Sequence, residues 1–172
     1  MSESNHRKNN SRSHTISVLV HNRPGVLSRA AQVFARRGYN IDSLVVSPAH
    51  IEGFSRMTMV SSGDPAVLDQ IIRQMDKLVD VVRAREHTGE ESVVRELGLF
   101  KVKADVQNRS EILQIVDVFR AKTVDISEES LCIEITGNTE KLNAFENMLS
   151  KYGILEMVRS GKLIMARGKQ PT

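Results

Sequence analysis

The feature that most constrains this chain is a change of hydrophobic period, from two to about 3.6 and back, that completes the same cycle twice. Residues 15–20 place Ile16, Val18 and Val20 on one face, as a half-buried strand requires. After a turn at Asn22-Arg23-Pro24-Gly25, the residues Val26, Leu27, Ala30, Ala31, Val33 and Phe34 recur at helical spacing. Arg29, Arg36 and Arg37 fall on the other side of that helix, and Gly38 ends it. Residues 41–47 and 54–61 predict two more strands. Gly63-Asp64-Pro65 then opens a helix with the stripe Val67, Leu68, Ile71, Ile72, Met75 and Leu78, and residues 81–84 predict a fourth strand. The order βαββαβ is that of a ferredoxin-like sandwich, an antiparallel sheet with its helices on one face.

A charged connector, His87-Thr88-Gly89-Glu90-Glu91, precedes the second cycle. Residues 97–105 predict a strand, and Asn108-Arg109-Ser110-Glu111 has the spacing of a capping box ahead of the stripe Ile112, Leu113, Val116 and Phe119. Strands follow at 121–126 and 131–136. Leu142, Phe145, Leu149 and Tyr152 mark another helix, and residues 154–166 predict a hairpin turning at Ser160-Gly161. Asn22-Arg23-x-x-Val26-Leu27 returns as Asn108-Arg109-x-x-Ile112-Leu113, with Glu111 where the first copy has Gly25. The predicted fold is therefore α+β, two tandem ferredoxin-like sandwiches at 14–88 and 92–168 behind a disordered tail at 1–13.

With 172 residues, 40% of them hydrophobic and 26% charged, the chain has the material for two small globular domains. No run approaches the roughly 18 apolar residues of a membrane span, and the polar N-terminus lacks the apolar core of a secretory signal. The single cysteine, Cys132, lies in the apolar run 131–135, where a thiol is expected to pack; it fits a reducing, cytoplasmic setting. A net charge of +3 with only 4% aromatic residues, and with every helical stripe already used in the sandwiches, leaves no element for reading nucleic acid. His6, His14, His21, His50 and His87 fall in the tail, at strand ends or in loops, without the spacing of metal ligands or of a nucleophile with its base.

The first turn has the chemistry of an anion site. The opening amides of a helix lack internal partners, and the helix dipole favours negative charge there. Gly25 removes the Cβ that would hold a ligand off, and Pro24 costs no needed donor. A carboxylate is thus expected against the amides of Gly25 and Val26. Asn22 and Asn40 each offer a donor and an acceptor, as a zwitterion wants, and a ferredoxin-like fold is expected to bring Asn40 near Gly25. The same residues also serve ordinary turns.

Asn22-x-x-Gly25-Val26-Leu27-Ser28-Arg29, followed by 37–44 (Arg-Gly-Tyr-Asn-Ile-Asp-Ser-Leu), resembles the ACT-domain signature of acetolactate (acetohydroxyacid) synthase small subunits. The resemblance continues through 55–58, 74–81, 95–97, 99–102, 119–121 and 153–161, so that it spans about 14–168; Phe100 stands where the family has an aliphatic residue, and the tail is longer than in many bacterial members. It implies a non-catalytic, dimeric regulatory subunit that binds and activates the catalytic large subunit. It further implies feedback inhibition by a branched-chain amino acid, usually valine, bound between paired ACT domains at Asn22, Gly25, Val26 and Asn40. Thiamine diphosphate, magnesium and FAD are expected on the large subunit and none on this chain, with no membrane or nucleic-acid partner. A free-standing amino-acid sensor and a small phosphate-handling enzyme are the alternatives.

Overall fold

The computed structural model describes residues 12–87 and 92–172, and the chain divides into two compact units between Glu90 and Glu91. The first unit runs β1 (Arg12–His21), α1 (Val26–Ala35), β2 (Ser43–Pro48), β3 (Phe54–Gly63), α2 (Pro65–Met75) and β4 (Val81–Glu86). Its strands pair antiparallel in the order β2-β3-β1-β4. The second unit runs β5 (Ser92–Lys103), α3 (Arg109–Val118), β6 (Lys122–Ile126), β7 (Ser130–Gly137), α4 (Thr139–Ser150), β8 (Ile154–Arg159) and β9 (Leu163–Ala166). Its main sheet has the equivalent order β6-β7-β5-β8. In each sheet the first and third strands are central, so the fold is the α+β pair of ferredoxin-like sandwiches that the periodicity predicts.

Each unit has its own core. In the first, Ile16, Val18 and Val20 of β1 and Met57 and Met59 of β3 pack against Ala30 and Phe34 of α1 and Leu68, Ile71 and Met75 of α2. These are the period-two and period-3.6 positions of the sequence, and burying both stripes against each other is what makes the elements mutually stable. In the second, Phe145 of α4 is fully buried, with its ring centroid 5.3 Å from Phe100 and 5.2 Å from Phe119.

The boundaries differ from expectation at both ends of the described chain. β1 begins at Arg12, so residues 12 and 13 belong to the sheet, paired with Gly63 and Ser62. His14 is a buried strand residue with Nδ1 2.6 Å from Glu86 Oε1. The rest of the expected tail, 1–11, and the connector residues 88–91 lie outside the described residues. At the other end the unit extends past 168, because Thr172 is buried and its Oγ1 accepts a hydrogen bond from the Ala166 amide at 2.8 Å.

Two local motifs are also corrected. The capping box at 108–111 does not form. Asn108 has helical backbone angles (φ −104°, ψ −11°), whereas a side chain reaches the helix amides from an extended cap residue. Asp105 Oδ1 instead accepts from the amides of Gln107 and Asn108 at 2.9 and 3.0 Å, and Glu111 accepts from the Tyr152 hydroxyl at 2.9 Å. On the same helix Ile115, not Leu113, joins Ile112 and Val116 in facing the core. Nor is 154–166 a hairpin. β8 and β9 both pair with β5, one after the other, with Arg159 opposite Gly98 and Leu163 opposite Arg95. Between them Gly161 adopts φ +83°, which kinks the chain without reversing it. Ser160 keeps the ladder satisfied there, donating its amide to the Leu97 carbonyl at 2.9 Å and accepting the Leu97 amide on Oγ at 3.0 Å.

Beside this break lies a buried ion pair. The carboxylate of Glu96, 5% exposed, accepts from Arg159 Nη2 at 2.7 Å and from the Thr139 hydroxyl. Arg159→Ala strands that carboxylate without its cation, and about 3 kcal/mol of stability is expected to be lost. Urea unfolding of the variant beside wild type measures it.

On the first sheet, Arg56 and Arg83 flank Leu19 and Arg85 flanks Ser17, on the face turned away from the core residues Ile16, Val18 and Val20. His87 closes this row, donating its amide to the Thr15 carbonyl at 2.7 Å. Burial first, then the charges of Arg56, Arg85 and Arg83, hold the His87 imidazole below the ordinary histidine range. The folded state therefore prefers the neutral ring. The associated stability is fully present above the unfolded histidine pKa of about 6.5 and is lost as pH falls through the lowered folded value. His87→Gln is expected to flatten the acid side of the stability profile, read as the difference between wild-type and variant urea midpoints at pH 7.5 and 5.5.

Candidate functional site

The turn between β1 and α1 is held from its own backbone. The His21 amide donates to the Asp80 carbonyl and the Asn22 amide to the Gly53 carbonyl, each at 2.8 Å. These bonds bring the β2–β3 and α2–β4 turns to the same end of the sheet. Gly25 then takes φ +83° and ψ −9°, a left-handed conformation that costs an L-residue about 1–2 kcal/mol. The entry of α1 has no side-chain cap. By contrast, Asp64 caps α2 through the Ala66 amide at 2.8 Å, and Asn138 caps α4 through the Lys141 amide at 3.0 Å. Val26 is buried, its amide turned weakly toward the Arg23 carbonyl at 3.4 Å, while Asn22 and Gly25 are exposed.

Arg29 completes this end. It lies one helical turn beyond Gly25, and a helical side chain leans back toward the N-terminus. Its Nη1 sits 3.1 Å from where a Cβ on Gly25 would be, and its Nη2 donates to Asp80 Oδ2. Asp80 is mostly buried and also has Arg23 Nη1 at 3.8 Å. The α1 entry thus presents backbone amides, a helix dipole and a guanidinium that a buried carboxylate holds in place: a surface for negative charge.

Asn40 is at the other end of the unit. Its carbonyl accepts from Ser61 Oγ at 2.7 Å, and Ser61 pairs with His14, near the start of β1. Gly25 follows the far end of β1, about 23 Å away along the strand from His14 to His21. The ten residues of α1, about 15 Å of helix, separate Gly25 from Asn40 in the same way. The expectation that one copy of the fold brings Asn40 near Gly25 is therefore not met: Asn22, Gly25 and Val26 cluster, and Asn40 stands apart. Asn40 Nδ2 donates to Asp42 Oδ1 at 3.2 Å, and Asp42 Oδ2 accepts from Ser62 Oγ at 2.7 Å. This leaves the Asn40 amide oxygen beside a carboxylate, a surface suited to a cationic group.

The equivalent turn of the second unit is sealed. Arg109 Nη2 fills it, donating to the carbonyls of Ala104, Ser127 and Glu128 at 2.8, 2.7 and 2.6 Å. Arg23, at the matching position of the first unit, is exposed.

Comparison with known proteins decides the family. Residues 16–83 match the family described as the AHAS small subunit-like ACT domain, and residues 95–168 match the small subunit of acetolactate synthase. The chain belongs to the acetolactate synthase small-subunit family. It is 46% identical over 157 residues to a probable acetolactate synthase small subunit of Archaeoglobus fulgidus, covering 91% of this chain and 98% of that one. It is 47% identical over 160 residues to the acetolactate synthase small subunit of Mycolicibacterium smegmatis, covering 93% and 94%. The crystal structure of the Thermotoga maritima acetolactate synthase small subunit superposes with a TM-score of 0.83 at 41% identity, over 92% of this chain and 99% of that one. The family implies partnership with a catalytic subunit. Among the described residues no helix is long and apolar enough to cross a membrane.

Arg29, Asp80 and Asp42 are the site residues that the sequence pattern did not single out. Arg29 reads as one of three arginines on a solvated helix face, and only its spacing of four from Gly25 hints that it folds back over the turn. Asp80 comes from a turn more than fifty positions away in sequence, so periodicity carries no trace of it.

Proposed function

We propose that this chain is the non-catalytic regulatory subunit of acetolactate synthase, activating the catalytic subunit and conferring feedback inhibition by binding valine between two copies of its first unit. One observation carries the effector site: the unit has two ends of opposite electrostatic character that are too far apart to meet in one chain. The Gly25 end suits a carboxylate, and the Asn40–Asp42 end suits an ammonium. β2 is one of the two edge strands of the sheet, and it carries Leu44 and Val46 exposed. Antiparallel pairing of two β2 edges about a two-fold axis sets the start of one β2 against the end of the other. The end of β2 lies with the Gly25 turn, since Pro48 pairs with Ser55 and Ser55 with Val20. The pairing therefore carries Asn40 of each copy toward Gly25 of the other, and a free amino acid bridges them.

In this arrangement the amides of Gly25 and Val26, with Asn22, take the carboxylate, and Asn40 accepts from the ammonium. A branched aliphatic side chain would lie along the apolar edge, where one methylene is worth about 1–3 kcal/mol of discrimination. Thiamine diphosphate, magnesium and FAD belong to the catalytic subunit in this scheme. The lone, unpaired Cys132 supports a reducing, cytoplasmic setting.

Calorimetric titration with valine tests the scheme. Asn40→Ala is expected to weaken binding about tenfold, the loss of one charge-assisted hydrogen bond. An unchanged affinity would remove Asn40 from the site.

A further inference from the structure

We propose that Arg29 reads the carboxylate of the effector and so sets the site's demand for a free amino acid, an inference that rests on the valine site proposed above. Gly25 opens α1 in the left-handed conformation, and Arg29 stands four residues on, so its side chain leans back over the turn. The two ends of the guanidinium are used differently. Nη2 donates to Asp80 Oδ2, while Nη1, outside that bond, lies 3.1 Å from the point that a Cβ on Gly25 would occupy. A glycine at position 25 therefore keeps the approach to Nη1 clear of a side chain.

Asp80 makes this arginine more than a solvated side chain. Its carboxylate comes from the α2–β4 turn, is 12% exposed, and is shared with Arg23 Nη1 at 3.8 Å. With one end of its planar fork anchored, Arg29 has little side-chain freedom left to lose when an anion meets the other end. Two guanidiniums against one carboxylate leave the trio with one positive charge in excess. That charge has the same sign as the dipole at the uncapped entry of α1. The second unit lacks the device: the repeat puts Glu111 at the position of Gly25 and Ile115, packed in the core, at that of Arg29. A reader of negative charge thus accompanies the open turn and is missing from the sealed one.

Calorimetric titration of the full chain with valine and with valinamide tests this. Valinamide keeps the ammonium and the branched side chain but has no anionic group. In Arg29→Gln the ratio of valine to valinamide affinity is expected to fall at least tenfold, through weaker valine binding alone. Arg29→Gln combined with Asp80→Asn leaves no carboxylate without its cation, is expected to show the same fall, and carries the test if the single variant does not fold; urea unfolding checks both. Valine affinity within twofold of wild type in the folded variants would overturn the proposal. So would an equal loss for both ligands, which would make Arg29 a structural partner of Asp80 only. A wild-type chain that does not bind valine at all would overturn the effector site beneath the proposal, a result that is read before any variant is made.

Discussion

Gly25→Asp is expected to weaken valine binding at least about 100-fold, close to 2.7 kcal/mol, and to leave the chain folded. Three physical effects act in the same direction. The left-handed backbone at position 25 disfavours any side chain. A Cβ there meets Arg29 Nη1 at 3.1 Å, so the guanidinium has to give by a few tenths of an ångström where it pairs with Asp80. The new carboxylate also places its own negative charge at the helix entry, the position proposed for the effector's carboxylate. Gly25→Ala carries the first two effects without the third. It is expected to fall between wild type and Gly25→Asp, so the difference between the two variants isolates the charge. Titration calorimetry of the three proteins with valine measures this series, and equal affinities for Gly25→Ala and Gly25→Asp would remove the electrostatic part.

Phe145→Ala is expected to cost about 4 kcal/mol in the second unit. The ring is fully buried and contacts two other aromatic rings, so truncation removes both the burial and the aromatic packing and leaves a cavity lined by Phe100 and Phe119. Each unit has a separate core, and the residues proposed to bind the effector all belong to the first. Denaturant unfolding followed by circular dichroism is therefore expected to show an early transition for the second unit, with valine binding surviving below the midpoint of the first. A loss of less than 1 kcal/mol, or simultaneous loss of valine binding, would contradict separate cores.

The elements of this fold were legible because burial imposes the periods directly. Ile16, Val18 and Val20 alternate, and Leu68, Ile71 and Met75 fall on one helical stripe, because each set faces the same core. What failed was local chemistry decided by partners distant in sequence. Asn108 and Glu111 have capping spacing, yet Asp105 takes the amides and Tyr152 takes Glu111. Ser160-Gly161 has the composition of a hairpin turn, but both flanking strands find the same neighbour, β5. The candidate site was half legible. The Asn22–Val26 turn is a contiguous motif, and the structure keeps it together. The distance between Gly25 and Asn40 follows from α1 running back along β1, which a motif list does not convey. Arg29 and Asp80 required the packed turns.

The central claim is that each effector site is shared between two copies, with Gly25 from one and Asn40 from the other. Co-expression of a Gly25→Asp chain and an Asn40→Ala chain under different affinity tags gives a mixed dimer with one site doubly disabled and one intact. Titration of that dimer with valine is predicted to show wild-type affinity at half the wild-type stoichiometry, although neither homodimer reaches that affinity. Absence of any wild-type site in the mixed dimer would contradict the shared site and return Asn40 to ordinary turn chemistry.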